Sequence, residues 1–242
     1  MSPRKADPGL RTALVDVAAR ILASEGPRAL TTRRVAHETG HSTMAVYTNF
    51  DGMAGLVRAM VHEGFARLHE NFSRVWATAD PVSDLATFGR AYRASALAEP
   101  HLYAVMFGTS SLAGFSLTED DRQHGRYTMT GVIECVERCM AADRFRHTDP
   151  VTVAHHMWSS VHGLASLELG AYLVEPYGPD TCFETQLSAL MVGAGDSPES
   201  ADRSVAASRR TFAAAFTSSA PLPGDGERIR GTSAVREVPG SR

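Results

Sequence analysis

His37, Glu38 and His41 spell H-E-x-x-H, the spacing with which one helix offers two imidazoles to a zinc ion and a carboxylate to its water. That chemistry needs both histidines one turn apart on an unbroken helix, converging on the metal at about 2.0–2.1 Å. Gly40 stands between them, directly before Ser42, a residue type that caps helix starts. The helix is therefore expected to end before His41. Glu63 is spaced as a third ligand, but it lies on a helix whose apolar face is used for packing. The same stretch also reads as a glycine turn followed by a short helix bearing Ser42, Thr43, Met44, Ala45, Tyr47, Thr48 and Asn49. Hydroxyls, an amide, a phenol and small apolar groups are what base edges, thymine methyls and phosphates ask for. This second reading is the one adopted: no metal, no cofactor, not an enzyme.

Other clusters carry weaker chemistry. His155 and His162 stand two turns apart, with His156 beside them, and no carboxylate or thiol is spaced to join them. Cys135 and Cys139 share a helix face, where small buried hydrophobes are expected rather than a thiol sensor. Trp158 and His162, at i and i+4, share a face as well; core packing and the lining of a ligand pocket both remain open.

The elements that must position these residues are helices throughout. The chain has 242 residues, is 43% hydrophobic and 21% charged, and carries a net charge of −3, split as +3 over residues 1–75 and −6 over the rest. A weakly basic end on an acidic body fits phosphate contact without requiring it. No window is apolar enough for a membrane span or a signal peptide, and three cysteines fit free thiols, so a cytoplasmic protein is expected.

Leu10, Ala13, Leu14, Val17, Ala18, Ile21 and Leu22 mark one face of a first helix, which Gly26 and Pro27 end. Thr32 is expected to cap a second helix through Thr39, Ser42 a third of about six residues, and Asp51 a fourth running nearly seven turns to Val75. Further helices are expected near 83–98, 100–108, 118–142, 149–170 and 180–194. A weak face at Val205, Arg209, Phe212 and Phe216 suggests one more over 199–217, and the Pro/Gly-rich residues from 221 read as disordered.

Two short helices around a glycine turn, preceded by an amphipathic helix, make a helix-turn-helix unit whose second helix faces the major groove. Val46 and Phe50 are its expected inward anchors, and Arg33, Arg34, Arg4 and Lys5 its phosphate grips. At "ALTTRRVAHETGHSTMAVYTNFDGMAGLVRAM", after "ILASEG", the chain resembles the DNA-binding domain of the TetR family of transcriptional regulators. The resemblance implies an all-α protein: a three-helix head at residues 1–50 (leader 1–9), a long fourth helix, a ligand-binding and dimerisation body at 51–195, and an extension at 196–242. It implies major-groove contacts from Ser42 to Ala45, phosphate contacts from Thr32, Tyr47 and Asn49, and a homodimer reading double-stranded DNA under control of a small-molecule inducer. One position departs: where the family commonly has a phosphate-binding Lys, this chain has Met53. W-x-x-x-H-G, at Trp158, His162 and Gly163, and "PHLYAVMFG" are similar to one subgroup of TetR-type bodies.

Phe65, Leu68, Phe72, Met106, Phe107, Phe115 and Met129, with Trp158 and His162, are the candidates to line a pocket for an apolar or amphipathic inducer; plain core packing is the competing reading for each. The helices near 149–170 and 180–194 are the dimer candidates, with Leu164, Leu167, Leu187, Leu190 and Met191 as apolar positions that exceed one subunit's needs.

Overall fold

Helix α1 (Pro8–Glu25) packs through Leu14, Val15, Ala18, Ile21 and Leu22, all buried. Gly26 ends it in the left-handed region (φ 79°), its N–H reaching the Leu22 carbonyl at 3.0 Å. The computed structural model describes residues 8–107 and 118–217, and every regular element among the described residues is helical. The expected contributions of Arg4, Lys5 and Phe115 fall outside them, as does the disorder expected from residue 221.

The second and third helices are α2 (Thr32–Glu38) and α3 (Thr43–Phe50). The cap of α2 is Thr31 and not Thr32: its Oγ1 accepts from the Arg34 amide at 3.2 Å, and Thr32 is already helical. Asp51 does not cap the fourth helix either. It ends α3 in the left-handed conformation, and Gly52 (φ 99°), which a side chain would strain, starts α4 (Met53–Ser73). At 21 residues α4 is about 32 Å long, shorter than the apolar pattern suggested.

The body is built around α5 (Pro81–Ala98), which begins at an Asp80 cap with Pro81 in the first turn rather than at Ser83. Neighbours surround it: α4, α8 (Thr130–Ala141), α9 (Pro150–Leu169) and α11 (Pro198–Thr217) all pack on it. That is why Val82, Leu85, Ala86, Phe88, Ala91 and Ala96 are buried on more than one side of a helix. Between α6 (Pro100–Met106) and α8 the expected long helix is broken into α7 (Glu119–His124) and a 3-10 turn at Gly125–Met129. The cause is local: a Cβ on Gly125 would stand 2.3 Å from the Phe65 ring, so the backbone itself is packed there.

Helix α11 lies on α5 through Ala201, Ser204, Val205 and Ser208, with α10 (Pro179–Ala194) alongside. Its inward face is small and hydroxylic, which a search for large apolar residues reads as weak. Arg209, expected on that face, is exposed and pairs with Glu184 at 3.3 Å. Arg90 fastens the seam, meeting Glu184 at 2.5 and 2.8 Å and the Ser208 hydroxyl at 2.7 Å. Leu164, Leu187 and Met191 also turn inward, so of the proposed surplus apolar positions only Leu167 is exposed and Leu190 half-buried.

Candidate nucleic-acid interface and ligand cavity

The turn between α2 and α3 settles the H-E-x-x-H question. The His41 amide donates back to the Ala36 carbonyl at 2.8 Å and the Gly40 amide to His37 at 3.1 Å, with Gly40 at φ 71°. These are the two bonds of a Schellman stop, so the chain reverses at Gly40 and no helix carries both imidazoles. Glu38 is engaged elsewhere, accepting from Arg20 at 2.8 Å and Arg34 at 2.9 Å; those arginines, Arg20 foremost, hold its carboxyl below the usual range. Arg34 also pairs with Glu25, so the grip on phosphate expected of it is already committed to the protein.

The reversal sets α3 outward. Val46 and Phe50 are buried and anchor it, while Ser42, Thr43 and Thr48 are exposed and Met44 and Tyr47 keep 64% and 52% of their surface in solvent. Two large side chains left in water on an eight-residue helix are unusual unless something covers them. Ser42 takes the cap position without a side-chain bond, leaving its hydroxyl free to face outward. The Tyr47 ring lies against Gly52, whose Cβ, were there one, would be 3.3 Å from Cε1. Arg33 is exposed and has no carboxylate partner among the described residues. Thr32 and Ala45 are half-buried. Asn49 turns its Nδ2 to the Ala45 carbonyl at 2.8 Å and buries Oδ1, which has no hydrogen-bond partner among the described residues. Met53, in the place of the usual Lys, is half-buried against the core. Arg11 braces α3 from α1, its guanidinium 4.3 Å above the Phe50 ring.

A cavity of about 80 Å³ lies between α4, α5 and α6. Of the expected pocket residues, Leu68 and Met106 line it. Its other walls are Gly64, Leu102 and Ala98, and its polar groups come from Arg67, Asn71, Ser95, Glu99, Tyr92 and Tyr103. Arg67, Asn71, Ser95 and Glu99 were missed because only apolar and aromatic positions were sought, and Tyr92 and Tyr103 because the aromatic candidates were phenylalanines, a tryptophan and a histidine. Polar residues at i and i+4 beside the apolar face of α4 (Arg67, Asn71) were the available signal. Gly64 is there for close approach: its Cβ would stand 2.5 Å from the Met106 sulfur.

His162 sits behind the two phenols rather than in the cavity. Its Nδ1 is 2.6 Å from Tyr103 Oη and 2.8 Å from Tyr92 Oη, and the two phenols are 3.3 Å apart. One lone pair cannot accept from both. A relay in which Tyr92 donates to Tyr103 and Tyr103 donates to the neutral ring satisfies all three. Burial pushes the imidazole down and both phenols up, so the trio is uncharged near neutrality. Phe107 meets the His162 ring edge-on at 4.5 Å, and Trp158 flanks it at 5.8 Å. Phe65 packs on Phe107 and Phe72 on Phe88, both as core, and Met129 is half-buried against the core. Cys135 and Cys139 are buried free thiols, the former pushed up by its partner thiol and by burial, which removes it from thiolate chemistry.

Comparison with known proteins agrees with both halves of this geometry. Residues 14–60 match the model of bacterial regulatory proteins of the tetR family, and residues 85–190 match the tetracyclin repressor-like C-terminal domain. No curated protein matches the chain significantly. Among solved structures, a protein of unknown function from Rhodococcus sp. RHA1 superposes with TM-score 0.67 at 24% identity, covering 81% of this chain and 100% of that one. A tetR-family regulatory protein from Rhodococcus RHA1 gives 0.59 at 17% identity, covering 79% and 100%. RolR in complex with resorcinol gives 0.59 at 15% identity, covering 89% and 96%. At these identities the structures speak for the fold. Among the described residues no helix is long and apolar enough to cross a membrane. With family models falling on the turn-bearing head and the helical body alike, and together matching well over half of its residues, the chain belongs to the TetR family of transcriptional regulators and is not an enzyme.

Proposed function

We propose that this chain is a cytoplasmic repressor that reads a two-fold symmetric operator as a homodimer and is released by a small-molecule inducer. The observation that carries the reading is the outward face of α3, where Thr43, Met44, Tyr47 and Thr48 are exposed on a rod anchored by Val46 and Phe50. Eight residues make a rod of about 12 Å, the width of the major groove. Ser42 to Ala45 would meet base edges at its leading end, with Tyr47 and Arg33 on phosphates. Thr32 and Asn49 are second-rank phosphate contacts, since the Asn49 amide must first leave the Ala45 carbonyl. With Met53 lacking the usual ammonium, the first-turn amides of α4 would serve the phosphate there. The head is assigned to residues 1–50 and the body to α4 through α11.

One such rod offers few base contacts, and two of them about 34–36 Å apart would double the set. The outward faces of α9 and α10 suit that pairing. They present Ser159, Gly163, Thr185, Ala189 and Gly193, and a Cβ at either glycine would meet nothing within 4 Å. Gln186, between them, has a buried Oε1 with no partner among the described residues. The cavity supports the inducer; RolR is a protein of this fold that holds a small molecule, resorcinol. Driving the DNA-competent state from 99:1 to 1:99 requires the inducer to prefer the other state by roughly 5.5 kcal/mol. Selecting DNA from a random pool with the purified chain is the test. A symmetric consensus is expected; a specificity ratio near one at physiological salt would contradict the reading.

A further inference from the structure

From the charges around the cavity, and resting on the inducer reading above, we infer that its ligand is a small protonated amine with an aromatic or apolar body, which competes with Arg67 for Glu99. Among the described residues Arg67 is the only cationic group lining the space, and three carboxylates already hold it. Its Nε donates to Glu63 at 2.9 Å, one terminal nitrogen to Glu99 at 2.8 Å and the other to Asp16 at 2.9 Å. The cluster around Arg67 therefore carries two negative charges beyond its one positive charge, with Glu99 the carboxylate that reaches the lining itself. A ligand carboxylate would enter among three others, whereas an ammonium is attracted and finds Glu99 within the lining. The uncharged Tyr92 and Tyr103 also line the space and are the aromatic partners available there to a cation and to an aromatic body.

Size decides how the ligand enters. A cavity of about 150 Å³ holds benzene, and this one has about 80 Å³, so the described state is closed to a ring. Met106 is the movable wall, an unbranched side chain seated on Gly64. Displacing it presses α6 away from α4, while the ammonium takes Glu99 from Arg67. Both events act on the head, because Arg67 also holds Asp16 of α1 and α6 packs directly on α1. Amine and DNA are then reciprocal ligands.

Calorimetric titration of the full chain with benzylammonium, benzyl alcohol and benzoate tests this, since the three share a ring and differ in charge. Benzylammonium is expected to bind about ten-fold tighter than the alcohol, as a charged bond exceeds a neutral one, and benzoate weaker than both. Glu99→Gln should erase the gap between amine and alcohol, and Met106→Ala should tighten both. The order of the probes on the unaltered chain stands as the test if Glu99→Gln does not fold. Benzoate binding tightest, an unchanged order in Glu99→Gln, or no probe binding Met106→Ala at millimolar concentration would each overturn the inference. DNA selection without any probe separates the two readings. A symmetric consensus with a reversed probe order sinks the amine and leaves the repressor; the amine order with no consensus supports the site and sinks the repressor.

Discussion

The carbonyl oxygen of Phe50 occupies the place where residue 55 would carry its first side-chain carbon: a Cβ on Gly55 would stand 1.6 Å from it. This contact lets the first turn of α4 start directly against the last residue of α3, so the angle between the reading helix and the long helix is set by an absent methyl. Backbone cannot step aside as a rotamer can. Gly55→Ala is expected to lower stability by about 1–3 kcal/mol, the usual cost of overpacking, and to weaken operator binding beyond that loss by turning α3. Thermal melts and DNA titrations on one sample check both; an unchanged melt would mean that the two helices separate freely.

The exposed side chains of α3 and α2 should fail in distinguishable ways. Thr43→Ala and Tyr47→Ala should each weaken operator binding roughly ten-fold or more, on the scale of 1–3 kcal/mol per specific contact, with helicity retained because both residues are exposed. Arg33→Ala should weaken all sequences alike and lower the salt slope by about one. Arg34→Ala is different, since it removes ion pairs to Glu25 and Glu38, and its cost should appear in the melt before the DNA titration. As a phosphate contact Tyr47 should cost operator and random DNA alike when replaced by Ala; a loss confined to the operator would move Tyr47 from the phosphate set to the reading set.

The head was legible because its signals are local. A glycine that must be left-handed, two apolar anchors at Val46 and Phe50 and the spacing of α1 are all encoded within a few residues. Caps were legible only to within a residue: Thr31 and Thr32 are the same residue type, and the geometry alone decides which one turns its oxygen inward. The cavity was not legible. Arg67, Tyr92 and Tyr103 come from three helices and Glu99 from the joint between two of them, and nothing local says that they meet. Trp158 and His162 were readable as a shared face, but not their place behind the phenols. Helix α11 was underread because Ala201, Ser204 and Ser208 bury well without looking hydrophobic.

Two imidazoles give the protein a pH dependence whose sign follows from burial. His162 is pushed below its ordinary value by burial; so is His62, by burial and then by His124, stacked on it at 3.7 Å, with Asp121 opposing. The unfolded chain therefore binds protons at about pH 6.5 that the folded chain refuses. Their contribution is complete above that value and shrinks as pH falls through it toward the lower folded values. The carboxylates of Asp121 and Glu184, held down by their hydrogen bonds and arginine partners, lose their contribution separately, below about pH 4.5. Melting midpoints should fall between about pH 7.5 and 5.5, and His162→Gln should flatten part of that slope. A midpoint that climbs on acidification would contradict the assignment of a neutral His162.

The proposed pairing through α9 and α10 can be tested without touching either the head or the cavity. Ala189 is exposed on α10 and lies away from the α5 and α11 contacts that bury Phe183, Leu187 and Met191. Ala189→Arg would bring a second guanidinium onto the first across a two-fold axis, where each copy of a residue faces its own neighbourhood. Like charges and bulk should then shift the chain from dimer to monomer in light scattering, with the melt of the isolated subunit nearly unchanged. Operator affinity should fall by orders of magnitude, because a single α3 retains only half of the contact set, while binding to a half-site survives. A dimer that persists in this variant at micromolar concentration would place the two-fold axis on another face.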